Sequence, residues 1–263
     1  MIRSALMKVM TDAALKAGRG LTRDFGEVEN LQVSVKGPGD FVSAADRKAE
    51  KILYDELARA RPGYGFVMEE SGRVEGTDKS HTWFIDPLDG TSNFLHGLPI
   101  FAISIGLARE GQIIAGLVFN PATGDMFVAE KGQGAFHNNR RLRVAARRDL
   151  SDCLIGCGIP HIGKLKEHPR FMTELASVMA KAGNIRRLGA AALDLCCVAS
   201  GTYDGFWERN LQAWDMAAGI MIIKEAGGFV ADADGGDEIL AKGSICAGNE
   251  MILRALLTLI NVR

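Results

Sequence analysis

Excess charge of either sign, a disulfide framework and long apolar runs are all missing from this chain of 263 residues. Lys and Arg number 31 against 32 Asp and Glu, so no global basic field favours nucleic acid or a membrane surface. No apolar run reaches bilayer length, and Met1–Lys8 lacks the apolar core and cleavage site of an export signal. The expectation is a cytoplasmic protein with no direct contact to membrane or nucleic acid. The five cysteines, Cys153, Cys157, Cys196, Cys197 and Cys246, are odd in number and lie in apolar stretches. Cys153 and Cys157 are not spaced like a zinc knuckle and no histidine pair accompanies them, so all five read as small buried hydrophobes. Internal repeats, low-complexity segments and flexible linkers are absent as well. One catalytic domain over 1–263 is expected, with approximate halves 1–149 and 150–263 that share an interface.

What is present is ordinary for a soluble globular protein: 47% hydrophobic and 24% charged residues, with enough length to bury a large core. Leu6, Val9, Met10, Ala13, Ala14 and Ala17 recur at helical spacing and predict a helix over about 2–25. A Gly-Pro-Gly cluster at 37–39 splits two short extended pieces into a hairpin or loop, and Ser43–Asp46 opens a second helix that Pro62-Gly63 ends. Two strands, Phe66–Met68 and Thr82–Ile85, end in acids: Glu69-Glu70 and Asp86. From Phe101 to Val144 the pattern is an antiparallel meander. The second half predicts strands near Leu154–Gly156, Ile185-Arg186, Tyr203–Trp207, Phe229–Ala231 and Ser244–Ala247. Helices are predicted over Pro169–Ala182, Ala191–Ser200 and Trp214–Ala226, and after Asn249.

The chain is organised around Trp83–Asn93, in which Asp86-Pro87-Leu88-Asp89-Gly90-Thr91 follows an apolar run. Proline stiffens the backbone between two carboxylates and leaves the Leu88 carbonyl free to point outward, so three oxygens can face a hard cation. Gly90 permits close backbone approach, and Thr91-Ser92-Asn93 can begin a helix whose free N–H groups attract a phosphate. The same residues also suit a plain capped turn, and Asp215 in Trp214-Asp215-Met216 also suits a helix-start acid.

Three strings carry a resemblance: Glu69-Glu70-Ser71, the run from Trp83 through Asp86, Asp89 and Thr91 to Phe94, and Trp214-Asp215 followed by Ala217-Ala218-Gly219. In order and separation they resemble the signatures of the inositol monophosphatase family, and the similarity extends from Lys36 through Asp46 to Gly227-Gly228. The resemblance implies an α+β fold, a layered α/β/α/β/α sandwich of the inositol monophosphatase / fructose-1,6-bisphosphatase type. It also implies a magnesium-dependent, lithium-sensitive phosphomonoesterase acting as a homodimer.

Carried over residue by residue, the resemblance makes Glu69, Asp86, the Leu88 carbonyl, Asp89 and Asp215 metal ligands, an all-oxygen set that favours Mg²⁺. Glu69 and Thr91 are implied to position and activate the attacking water, with Asp89 counted among the catalytic groups. The Gly90 and Thr91 amides are implied to hold phosphate. Gly189, Ala191, Glu208 and Asp215 are implied to contact the substrate alcohol, and Asp46, Glu70 and Lys36 to act from outside the metal ligands. Glu208 also suits a plain surface strand. Met68 stands where the family often has glycine, which predicts a more crowded approach to the metals. Ala45 precedes Asp46 where threonine or valine is frequent, a minor departure. His96 is expected to tie down its loop, and His161 to sit in a variable loop as a bystander or a substrate contact.

The implied reaction is hydrolysis of myo-inositol 1-phosphate. The alternatives are fructose 1,6-bisphosphate, adenosine 3′,5′-bisphosphate, histidinol phosphate or NADP as substrate, and a role as partner of transcription or RNA-processing machinery. The Arg140, Arg141, Arg143, Arg147 and Arg148 cluster would offer such a partner a surface, and it also suits a solvated basic edge of the meander.

Overall fold

A computed structural model describes residues 4–26, 33–37 and 40–261, with the backbone alone for 33–37, 40–43 and 162. Helix α1 (Ala5–Phe25) starts at Ser4, whose Oγ accepts the Met7 N–H at 3.0 Å. It buries Met10, Ala14, Ala17 and Leu21 along one face. Strands β1 (Val33–Gly37) and β2 (Asp40–Ser43) pair as an antiparallel hairpin leading into α2 (Ala44–Ala60). Lys36 lies on the β1 backbone, and its side chain lies outside the described residues.

Next come β3 (Gly65–Met68), β4 (Gly72–Val74) and β5 (His81–Asp89). The turn expected after Ile85 is not a separate element, because β5 continues to Asp89. Its register against the following strand shifts between Asp86, opposite Ser104, and Asp89, opposite Ala102. A bulge there accommodates Pro87, which has no N–H for the ladder. After the short helix α3 (Thr91–Leu95) the chain forms the expected meander. Its strands are β6 (Ala102–Arg109), β7 (Gln112–Asn120), β8 (Asp125–Glu130), β9 (Gly134–His137) and β10 (Arg140–Arg141).

The second half supplies β11 (Leu154–Cys157), α4 (His168–Met179), β12 (Asn184–Arg186), α5 (Ala191–Ala199) and β13 (Gly205–Arg209). It ends with α6 (Ala213–Glu225), β14 (Phe229–Ala231), α7 (Ile239–Lys242), β15 (Ser244–Gly248) and α8 (Glu250–Ile260). Strand β13 begins two residues later than Tyr203 and runs on to Arg209, which brings Glu208 inside a paired strand. The short α7 and β4 have too few residues for a periodic signal.

Two sheets result. One has eight strands in the order β10-β9-β8-β7-β6-β5-β3-β4, and the other five in the order β12-β11-β13-β15-β14. Side chains of α1 and α2 cover one face of the larger sheet, with Met10, Leu53 and Leu57 packing near Trp83, Ile85 and Ile105. Met68 belongs to this core, so it does not crowd the cleft as expected. Helices α5 and α6 fill the space between the sheets, and α4 and α8 cover the outer face of the smaller one. The order is therefore helix, sheet, helix, sheet, helix.

Being covered on both sides, α6 has no polar stripe, and Met216 through Ile223 are all buried. It lies directly on the larger sheet because β7 has no side chain at Gly116, where a Cβ would come within 2.4 Å of the Ala218 carbonyl oxygen. That close approach fixes where the start of α6, with Asp215, meets the ends of β5 and β6.

Candidate active site

Strands β3 and β5 run parallel, pairing Met68 with Ile85, so their carboxyl ends open at one place. Glu69 leaves β3 there, and its N–H donates to the Ile85 carbonyl at 3.2 Å. The bulge of β5 then folds on itself. Asp86 Oδ accepts the Leu88 N–H at 2.9 Å, and Thr91 Oγ donates to the Leu88 carbonyl at 2.9 Å. Gly90, with φ 89°, makes the turn from β5 into α3 in the left-handed region that favours glycine.

Hydrogen bonds with the second half close the site. Asp89 Oδ2 accepts the Ala192 N–H at 2.8 Å, Asn93 Nδ2 donates to the Leu188 carbonyl at 3.0 Å, and Ser104 Oγ donates to the Trp214 carbonyl at 3.1 Å. Ser104 is the cross-strand partner of Asp86, so the last bond sets Asp215 beside Asp86. Asp215 also caps its own helix, accepting the Gln212 N–H at 2.7 Å, so the modest helix-start role and a place in the cleft are both present.

A cleft of about 170 Å³ results, lined by Glu69, Asp86, Leu88, Asp89, Gly90 and Thr91 from the first half. Gly158, Arg187, Gly189, Ala191, Asp194, Glu208, Leu211 and Asp215 line it from the second. Glu208 is thus at the cleft and not on a plain surface.

Burial, and then the charges of Glu69, Asp89 and Asp215, push the Asp86 carboxyl well above the usual carboxylate range. Burial raises Asp89 to about 7, against the opposing pull of N–H groups from Ala192, Ala191 and Gly90. Asp215 is raised by burial and then by Asp89, and its carboxyl hydrogen-bonds that of Asp86. Carboxylates so placed repel one another and favour a proton or a cation among them. Their oxygens suit a hard divalent ion. Among the described residues no three acidic, histidine or cysteine side chains close on one point tightly enough to hold an ion.

Two neighbours, Glu50 and Asp194, belong to none of the three sequence motifs. Glu50, buried in α2, accepts the Glu70 N–H at 2.8 Å and the Ser71 hydroxyl, and so holds the chain on which Glu69 stands. Asp194 is buried in the apolar helix α5, where a lone acid is itself a signal. Burial and then Asp89 push it up to about 8. Glu208 is raised by burial and then by Asp194, and Arg187 opposes the rise. Asp46 is buried in the first turn of α2 and is not among the residues lining the cleft. His161 Nδ1 accepts the Gly163 N–H at 3.2 Å as a local cap, and His96 ends α3 exposed. All five cysteines are free thiols, four of them buried.

Residues 3–261 match the profile of the Inositol monophosphatase family. The chain is 62% identical to the inositol-1-monophosphatase of Mesorhizobium japonicum over 98% of its own length and 96% of the relative's. It is 40% identical to the Nus factor SuhB of Pseudomonas aeruginosa over 97% and 95% of the two lengths. Among solved structures, the extragenic suppressor protein suhB of Bartonella henselae superposes with a TM-score of 0.95 at 56% identity, covering 98% of this chain and 99% of that one.

A layered α+β sandwich with an acid-lined cleft between its two sheets defines a phosphatase of this fold. The chain belongs to the inositol monophosphatase family.

Proposed function

We propose that this protein is a Mg²⁺-dependent phosphomonoesterase that hydrolyses myo-inositol 1-phosphate to inositol and phosphate. The observation that carries the reading is the meeting of Glu69, Asp86, Asp89 and Asp215, from both halves of the chain, in one cleft. The 62% identity to a protein named inositol-1-monophosphatase supports the substrate.

Glu69, Asp86, the Leu88 carbonyl, Asp89 and Asp215 would hold the cation. Mg²⁺ bound there supplies positive charge that makes water easier to deprotonate and that offsets charge on the departing alkoxide. The chain's own residues do the rest. Thr91 donates a hydrogen bond to the Leu88 carbonyl, which leaves its oxygen lone pairs to accept a hydrogen bond from the attacking water. The Glu69 carboxylate takes the other proton as general base. The Thr91 amide, with that of Gly90 when it turns from Asp89, orients the phosphate oxygens. Glu208, Gly189, Ala191 and Asp215, which line the cleft, would contact the departing alcohol. Asp46, Glu70 and Lys36 act from outside this set.

Phosphate release from myo-inositol 1-phosphate, with Mg²⁺ and with a chelator, tests the reading. Release that requires the ion is expected, and no release at any Mg²⁺ concentration would refute it. A panel including fructose 1,6-bisphosphate, adenosine 3′,5′-bisphosphate, histidinol phosphate and NADP, compared by kcat/KM, ranks the substrates. Homodimerisation in the cytoplasm and inhibition by lithium belong to the same proposal.

The 40% identity to a Nus factor supports a second reading, a partnership with transcription machinery that coexists with catalysis. Arg140, Arg141, Arg143 and Arg148 are exposed, whereas Arg147 is engaged with buried Asp204 at 2.9 Å. Copurification of RNA polymerase with the Asp89→Asn variant would support it, and loss of polymerase from both variant and wild type would oppose it.

A further inference from the structure

At the alcohol end of the cleft, Gly158 follows the last residue of β11, and its N–H donates to the Trp207 carbonyl at 3.1 Å. Its φ lies outside the left-handed region, so the backbone there does not demand glycine. Space does. A Cβ at Gly158 would stand 1.8 Å from Glu208 Cδ, 2.0 Å from Oε1 and 2.3 Å from Cγ. The Glu208 carboxyl therefore occupies the space that a side chain at position 158 would take. The Glu208 backbone has no room to retreat: β13 is paired through Trp207 to Cys157 on one side, and through Glu208 to Ile245 on the other. The three heavy atoms nearest the added Cβ all belong to the end of one flexible side chain, so the fold absorbs the substitution most readily by swinging that carboxyl away.

We infer that Gly158 is a positioning residue that seats the Glu208 carboxylate against the wall of the cleft, and so selects leaving alcohols that present a hydroxyl to it. The inference rests on the proposed inositol phosphate activity. A glycine here leaves the carboxylate at the wall with the width of the cleft open to a ring. Any side chain would push the carboxylate across the space that the ring fills, removing a hydrogen-bond acceptor and narrowing the site together. Arg187, the cation facing both Glu208 and Asp194 from the loop after β12, acts with the glycine to keep an acid at this wall.

The test is a double-mutant cycle on the full-length protein with two substrates, myo-inositol 1-phosphate and ethyl phosphate, whose alcohol has no second hydroxyl. Gly158→Ala is expected to lower kcat/KM for the inositol ester by roughly 10-fold or more, mainly through KM, and to change it for ethyl phosphate by less than about 3-fold. Glu208→Ala should give the same pattern. The double variant should be no worse than Glu208→Ala alone, because with that carboxyl gone there is nothing for the new methyl to displace. Losses that multiply, or an equal loss on both substrates, would overturn the inference. Should Gly158→Ala fail to fold, recovery of folding in the double variant supports it, and failure of both overturns it. A wild-type protein inactive on the inositol ester but active on ethyl phosphate would refute the substrate reading, and this inference with it.

Discussion

The Asp89 carboxylate accepts the Ala192 N–H at 2.8 Å, joining the end of β5 to the first turn of α5. One side chain thus serves two demands: it ties the halves together, and it places charge in the cleft. Asparagine keeps an amide oxygen for Ala192 but removes the charge. Asp89→Asn is therefore expected to fold with a melting temperature close to wild type and to lose activity by about 10³-fold or more, the scale of a lost electrostatic stabiliser. Asp89→Ala should also lose about 1–3 kcal/mol of stability, because it leaves the Ala192 N–H unpaired. Thermal unfolding and steady-state assays of the two variants separate the effects.

Glu50 does not line the cleft but holds the Glu70 N–H and the Ser71 hydroxyl. Glu50→Ala should cost about 1–3 kcal/mol by leaving those donors unsatisfied. It should lower kcat more than KM, since the displaced group is Glu69. Glu50→Gln, which keeps one acceptor, should recover part of both. Equal kinetics in wild type and Glu50→Ala would contradict this role.

Titration offers an independent check. Burial raises Asp194 from its ordinary 3.8 to about 8, and Asp89 to about 7. The folded protein therefore holds these protons at pH values where the unfolded chain has released them. The stability they contribute is complete below about pH 4 and is lost as pH rises through about 7 to 8. In chelator, the melting temperature of wild type should fall between pH 6 and 8.5 more steeply than that of Asp194→Asn. Parallel curves would show that Asp194 is not a neutral buried acid.

Much of this architecture was legible in the residues. The helical spacing of α1, the meander from β6 to β8 and the acids ending β3 and β5 all follow from local patterns, and three short motifs marked the cleft. The misses have physical causes. Pro87 reads as a turn signal, yet a bulge lets β5 carry it to Asp89. Met68 reads as an obstruction, yet strand alternation turns it into the core. Glu50 and Asp194 meet Glu70 and Asp89 only across long stretches of sequence, and Gly158 matters only because β13 lies beside it. No period or propensity encodes such contacts.

Packing of α6 on the larger sheet carries its own prediction. A methyl at Gly116 would meet the Ala218 carbonyl oxygen at 2.4 Å and its Cα at 2.9 Å, both backbone atoms that cannot swing aside. Gly116→Ala should destabilise the protein by about 1–3 kcal/mol or more. It should also reduce activity in the folded fraction, because displacing α6 displaces Asp215. Unfolding in denaturant, paired with activity per folded molecule, checks both parts.

The central claim is a cation site divided between the two halves of the chain, with Asp86 and Asp89 on β5 and Asp215 on α6. Calorimetric titration of Mg²⁺ into the substrate-free protein tests it most directly. Wild type should bind, and Asp89→Asn and Asp215→Asn should each lose that binding while remaining folded. Undiminished Mg²⁺ binding by folded Asp215→Asn would contradict a shared site.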